Sequence, residues 1–185
     1  PLEDVVQEAI RAGAGMVQLR EKDASDRELL ETARSLREVT AREGAIFVVN
    51  DRPDIAGLAG ADGVHLGQDD LPPSEARRIV GLHLLVGVST HSLEQARSAE
   101  QQGADYLGAG PMFPTATKNA GPILGPDGLR CLLPEVSVPA FAIGGISVDT
   151  VDQVAAAGGR RIAVSSAVLC ADDPADVVRR LLERF

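Results

Sequence analysis

The sequence predicts an α/β fold: a TIM-type (β/α)8 barrel, a single domain over residues 1–185, that lacks its first strand in this chain. Three observations carry this reading. Short apolar runs alternate with longer amphipathic segments along the whole chain, the pattern of parallel strands joined by crossover helices. The repeating unit is short, roughly 20–25 residues, which suits a barrel. The first visible strand runs into Gln18-Leu19-Arg20-Glu21-Lys22 with no glycine. A doubly wound open sheet, the structural alternative, usually carries a glycine-rich phosphate turn at that point.

Each element has a local warrant. Val5, Val6, Ala9 and Ile10 recur at helical spacing and Gly13 ends that helix. Residues 16–21 read as a strand. Ser25 and Glu28 form a capping-box pair that opens a helix through about 42. Strands follow at 46–50, 63–67, 84–89, 106–110, 139–143 and 161–166. Pro53, Pro73 and Pro174 mark the expected first turns of helices. Ser92 with Gln95 makes a second capping box for a helix to about 102. Short helices are expected near Leu129 and over 149–157. The count is seven strands and eight helices, and the first helix has no strand before it.

Composition excludes several classes. With 27 acidic and 18 basic residues the net charge is −9, which argues against a nucleic-acid binder and leaves room for local basic sites that take a phosphorylated small molecule. No apolar run approaches the ~20 residues that span a bilayer, and no signal peptide is visible, so a cytoplasmic protein without membrane contact is expected. Cys131 and Cys170 show neither disulfide nor metal spacing and read as reduced core thiols. Nineteen glycines and 3% aromatic residues suit many tight strand-to-helix turns better than a β-sandwich.

In a barrel the carboxyl ends of the strands share one face, where active sites lie. Gln18, Arg20 and Lys22 recur at period two at the first such end. Two cations on one face point to a phosphate or diphosphate between them, or to ion pairs with Glu21 and Asp23. The next strands end in Asn50-Asp51-Arg52 and His65-Leu66-Gly67-Gln68-Asp69-Asp70. Asp51 and Asp70 as a pair suit Mg2+, which takes further oxygens from water and substrate. Taken singly, helix capping accounts for each. Ser89 ends another strand as a hydrogen-bond donor. His65 and His91 read as packing or supporting histidines and His83 as a surface residue. The loop from Gly110 to Gly125 is stiffened by Pro111, Pro114 and Pro122 and carries Thr115, Thr117 and Lys118, donors that suit phosphate oxygens in a lid. Gly144-Gly145 and Ser165-Ser166 complete the ring at the place of the common barrel phosphate site. No nucleophile backed by a base is visible, which favours a substrate that ionises once its leaving group is neutralised.

The segments VQLREK, NDRPDIA, DGVHLGQDD, GVSTHS, GPMFPTATK, AIGGI and VSSAV occur in an order and spacing that resembles the thiamine-phosphate synthase family over essentially the whole chain, Pro1–Phe185. The resemblance implies a (β/α)8 barrel. It implies a transferase joining 4-amino-2-methyl-5-hydroxymethylpyrimidine diphosphate to thiazole phosphate, with release of pyrophosphate. Gln18, Leu19, Arg20, Glu21, Lys22, Asn50, Ser89 and Lys118 would bind the pyrimidine diphosphate, with Arg20, Lys22, Ser89 and Lys118 acting in catalysis. Asp51 and Asp70 would hold Mg2+. Thr115, Ala116, Thr117, Gly145, Ser165 and Ser166 would bind the thiazole phosphate. The implied mechanism is Mg-assisted and dissociative. The partners are these small molecules, and a homo-oligomer is compatible with the sequence.

The related thiazole tautomerase branch lacks the acidic pair and carries a histidine after the strand that here ends in Gly110. This chain has Pro111 and Met112 there and keeps Asp51 and Asp70. A tautomerase-like isomerase or a non-catalytic phosphate-binding barrel remain the alternatives. Two departures from the family pattern stand out. Gly158-Gly159-Arg160-Arg161 places two cations at the amino-terminal face. The hydrophobic opening strand of the family is missing, which would leave two strand edges unpaired beside the site.

Overall fold

The computed structural model describes residues 1–115 and 122–185. Its seven strands are β1 Met16–Leu19, β2 Ile46–Asn50, β3 Gly63–Leu66, β4 Leu85–Thr90, β5 Tyr106–Ala109, β6 Ala140–Ile143 and β7 Ile162–Ala163. They form one sheet in chain order, β1 to β7, and every neighbouring pair is parallel. The helices are α1 Leu2–Arg11, α2 Asp26–Glu43, α3 Pro53–Ala59, α4 Pro73–Val80, α5 Leu93–Gln101, α6 Gly125–Leu132, α7 Val151–Ala156, α8 Ser166–Leu169 and α9 Pro174–Leu182, with a 3-10 turn at Leu133–Glu135. A sheet in which each strand adds beside the last, through crossovers of one hand, carries its helices on one face. That is the barrel arrangement. Among the described residues β7 does not pair with β1 and no eighth strand forms, so the count of seven holds.

The main core lies between the outer face of the sheet and the helices. Phe47, Val49, Val64, Leu66, Val86 and Leu107 are fully buried. They alternate with inward residues along the strands, and α2 supplies Leu29, Ala33, Leu36 and Val39 against the first half of the sheet. Burying each such aliphatic side chain contributes ~1.5–3 kcal/mol. At the amino-terminal ends of the strands one device recurs. Asp62 Oδ2 accepts from the Phe47 N–H and from Arg37 of α2, both at 2.8 Å. Asp105 Oδ2 accepts from the Val86 N–H at 2.7 Å and from Arg77 of α4 at 2.5 Å. Each aspartate thus ties the start of the preceding strand to a helix.

Five sequence expectations change. The first strand stops at Leu19 rather than at 21, because its neighbour β2 supplies no partner beyond Val49. The last strand is Ile162–Ala163 and not 161–166, for it pairs only with β6 over two residues. Ser165 instead precedes α8, so the described residues form nine α-helices rather than eight. The second capping box is half made: Ser92 Oγ accepts from the Gln95 N–H, but Gln95 Oε1 turns to the His91 N–H at 2.7 Å. Finally, Cys131 and Cys170 are exposed, not core thiols. Cys131 lies between the buried Leu129 and Leu132 on the outward side of α6, and Cys170 follows α8 at the surface.

No helix among the described residues is long and apolar enough to cross a membrane.

Candidate functional site

The carboxyl ends of β1, β2, β3 and β4 converge on a cleft of about 90 Å³ lined by Arg20, Lys22, Asn50, Asp51, Gly67, Gln68, Asp69, Asp70 and Ser89. A larger cavity, about 260 Å³, lies at the other end of the sheet beside Arg160 and Arg161. It holds none of the expected site residues, so chemistry rather than volume marks the smaller cleft as the candidate site.

The parallel register builds this cleft. Asn50, the last residue of β2, pairs with His65, one residue before the end of β3, so the two strands finish within one residue of each other. Asp51 then takes φ +64°, the one positive φ at a non-glycine residue among the described residues. That sparsely populated conformation is retained where surroundings hold it. Here the Asp51 N–H donates to the His65 carbonyl at 2.8 Å. Arg52 bridges Asp26 at 2.6 Å and Asp54 at 2.7 Å, tying the next residue to the first turns of α2 and α3. Lys22 does not continue the period-two face of β1, since the strand has ended. Its turn still brings Nζ to 3.4 Å from Asp51 Oδ2.

Asp70 folds back so that its Oδ2 accepts from the Gly67 N–H at 2.6 Å. Gly67 admits this approach: a Cβ there would stand 2.9 Å from the same oxygen. Burial first, and then the neighbouring Asp51 carboxyl, push Asp70 above its ordinary range. Two carboxyl groups crowded against each other, one resisting ionisation, are an arrangement that a hard divalent cation relieves. Among the described residues no cluster of three or more His, Cys, Asp or Glu could hold a metal. The donor set therefore fits an ion such as Mg2+ that takes most of its oxygens from water and ligand, and does not fit one caged by protein.

Ser89 faces the cleft from β4. Its Oγ lies 2.9 Å from His65 Nε2, and its carbonyl accepts from Gln68 Nε2 at 2.6 Å. His65 is buried and His91 Nδ1 is 2.7 Å from the Gly110 carbonyl, so both act as supports, as read from the sequence. Gln68 and Asp69 also line the cleft; the sequence offers Asp69 only as a candidate cap before Pro72-Pro73 and gives Gln68 no role beyond its place in the DGVHLGQDD segment.

Several expected residues are not gathered here. Gln18 is exposed on β1 and does not line the cleft. The Leu19 side chain is buried in the core, and the Glu21 carboxylate accepts from the Asp23 N–H at 3.1 Å. Neither side chain lines the cleft. Thr115, Gly145, Ser165 and Ser166 sit at the ends of β5, β6 and β7, outside it. There Gly145 at φ +67° lets the 111–114 segment dock, since a Cβ would meet the Pro114 carbonyl at 2.7 Å. Ala116, Thr117 and Lys118 lie outside the described residues.

A family model described as thiamine monophosphate synthase matches residues 1–168. The chain belongs to the thiamine monophosphate synthase family. A thiamine-phosphate synthase of Chloroflexus aurantiacus is 50% identical over 178 residues, covering 96% of this chain and 82% of that protein. One from Gloeobacter violaceus is 47% identical over 182 residues, and this chain spans 53% of its length. Thus the chain spans about half the length of some curated relatives and most of others. A solved structure of a thiamine phosphate pyrophosphorylase from Pyrococcus furiosus superposes with a TM-score of 0.91 at 41% identity, over 100% of this chain and 89% of that one. A 3-hexulose-6-phosphate synthase at 20% identity, TM-score 0.72, covering 99% of this chain and 94% of its own, shares the fold alone. The cleft residues from Arg20 to Ser89 all fall within the span that the thiamine monophosphate synthase model matches.

Proposed function

We propose that the protein is a thiamine-phosphate synthase: a transferase that couples 4-amino-2-methyl-5-hydroxymethylpyrimidine diphosphate with thiazole phosphate and releases pyrophosphate. The observation that carries this reading is the pairing, in one cleft, of two cations, Arg20 and Lys22, with two crowded carboxyl groups, Asp51 and Asp70. Cations alone would suit any anion, whereas cations beside a carboxylate pair suit an anion that brings its own divalent metal.

In this reading the diphosphate lies between Arg20 and Lys22, with Asn50 and Ser89 offering hydrogen bonds and Lys118 adding a further positive charge. Mg2+ held by Asp51 and Asp70 would supply charge neutralisation to the departing pyrophosphate. Arg20 and Lys22 add positive charge where negative charge grows as the C–O bond breaks. The aminopyrimidine supports the cation left behind, and the thiazole nitrogen captures it, so no general base is required of the protein. Thr115, Ala116, Thr117, Gly145, Ser165 and Ser166 would hold the thiazole phosphate. The action takes place in the cytoplasm.

The test is pyrophosphate release from the two substrates together, with and without EDTA. Asp51→Ala is expected to reduce turnover to near background with little effect on the melting temperature. Wild-type turnover in EDTA would exclude the metal-assisted route, and no release under any metal condition would exclude the transferase reading.

A further inference from the structure

A buried chain of hydrogen bonds lies behind Ser89. His65 on β3, Gly87 on β4 and Tyr106 on β5 are register partners across three adjacent strands. Because Gly87 carries no side chain, the Tyr106 ring reaches across β4: a Cβ at position 87 would stand 2.0 Å from the ring. Gly108 makes room in the same way for His65, whose Cε1 would lie 3.2 Å from a Cβ there. The Tyr106 hydroxyl is 3.1 Å from His65 Nδ1, and His65 Nε2 is 2.9 Å from Ser89 Oγ. His65 and Tyr106 are each 5% exposed, while Ser89 borders the cleft.

Counting donors gives the chain a direction. The Tyr106 hydroxyl makes its hydrogen bond to His65 and to no other group among the described residues. A buried O–H left without an acceptor costs more than an unfilled lone pair. The phenol therefore donates to Nδ1, and burial, which raises its proton affinity, keeps it protonated. With Nδ1 an acceptor, the neutral imidazole carries its hydrogen on Nε2. Nε2–H donates to Ser89 Oγ, and the serine hydrogen turns toward the cleft. The opposite tautomer would take the serine hydrogen and present only oxygen lone pairs to an anion.

We infer that Tyr106 and His65 act as a tautomer lock that makes Ser89 a hydrogen-bond donor to a ligand oxygen in the cleft. Both are positioning residues, since neither touches the cleft itself. The inference rests on the reading that Ser89 meets the diphosphate substrate. The bond strengthens as charge collects on the leaving group, so the lock acts on kcat more than on KM.

The test joins spectroscopy to kinetics on the full chain. Long-range 1H–15N correlation spectra of the imidazole are expected to place the His65 hydrogen on Nε2, and Tyr106→Phe, which keeps the ring in place, is expected to move population to Nδ1. In the pyrophosphate-release assay Tyr106→Phe is expected to lower kcat ~5–10-fold with KM nearly unchanged, the loss of one charge-directed hydrogen bond. That loss should vanish in the Ser89→Ala background, as coupled groups require. His65→Gln, whose amide N–H can stand at the Nε2 position, is expected to retain more turnover than His65→Leu. Hydrogen on Nδ1 in the wild type overturns the lock. So does full additivity of Tyr106→Phe with Ser89→Ala. Wild-type turnover in Ser89→Ala refutes instead the substrate contact on which the inference rests, and the spectra then judge the lock separately.

Discussion

Replacing Gly87 by alanine tests the packing behind the site with a single methyl group. The new Cβ would lie 2.0, 2.4 and 2.5 Å from three atoms of the Tyr106 ring, where ordinary carbon contacts are about 3.5 Å. The ring must retreat by roughly 1–1.5 Å to restore that spacing. Little room is open to it. Its centroid stands 5.4 Å from His65 and 5.6 Å from Phe141, which meets it edge-on. Overpacking of this kind costs ~1–3 kcal/mol, and the Tyr106–His65 hydrogen bond is lost for ~1 kcal/mol more. A total of ~2–4 kcal/mol corresponds to a fall in Tm of roughly 5–15 °C for a chain of this size. Thermal melts followed by circular dichroism measure it. Made in a Tyr106→Ala background, where the ring is gone, the same substitution is expected to cost almost nothing. A wild-type Tm for Gly87→Ala, or an equal cost in both backgrounds, would refute the reasoning.

Three further outcomes follow from the charges and caps. Asp70 ionises above its ordinary value of 3.8 in the folded state, so its ionisation opposes folding; that cost is absent below 3.8 and develops as pH rises through the folded value. Asp70→Asn is therefore expected to melt higher than the wild type at neutral pH in metal-free buffer and to lose any stabilisation by added Mg2+; a lower metal-free Tm contradicts this. Glu43, held by Arg11 and Gln7, is lowered from 4.5 to about 2. Its contribution is present above 4.5 and lost as pH falls toward 2, so Glu43→Gln should flatten the acid limb of the stability curve in that window and leave the neutral limb's slope unchanged. Ser25→Ala removes a complete capping box at the start of α2, and urea unfolding should show a loss of about 1 kcal/mol.

The sequence by itself determined the alternation of elements, the number of strands and the ends at which chemistry gathers. These are local signals. Ser25 and Glu28 cap a helix wherever the fold places it, and the run from Phe47 to Val49 is apolar because it will be buried. What only the tertiary structure decided depends on neighbours far along the chain. β1 and β7 are short because pairing partners run out, not because their residues change character. Asp51 and Asp70 read singly as caps. They meet because parallel register ends β2 and β3 within one residue of each other and a left-handed turn at Asp51 follows. Leu19 and Glu21 sit within the run from Gln18 to Lys22 that the sequence offers as a site, yet their side chains turn to the core and to a local N–H. The glycines at 87 and 108 show the difference most sharply. In sequence they are only residues that weaken strands. In the fold they are the space through which a tyrosine two strands away reaches a histidine and, through it, the serine of the cleft.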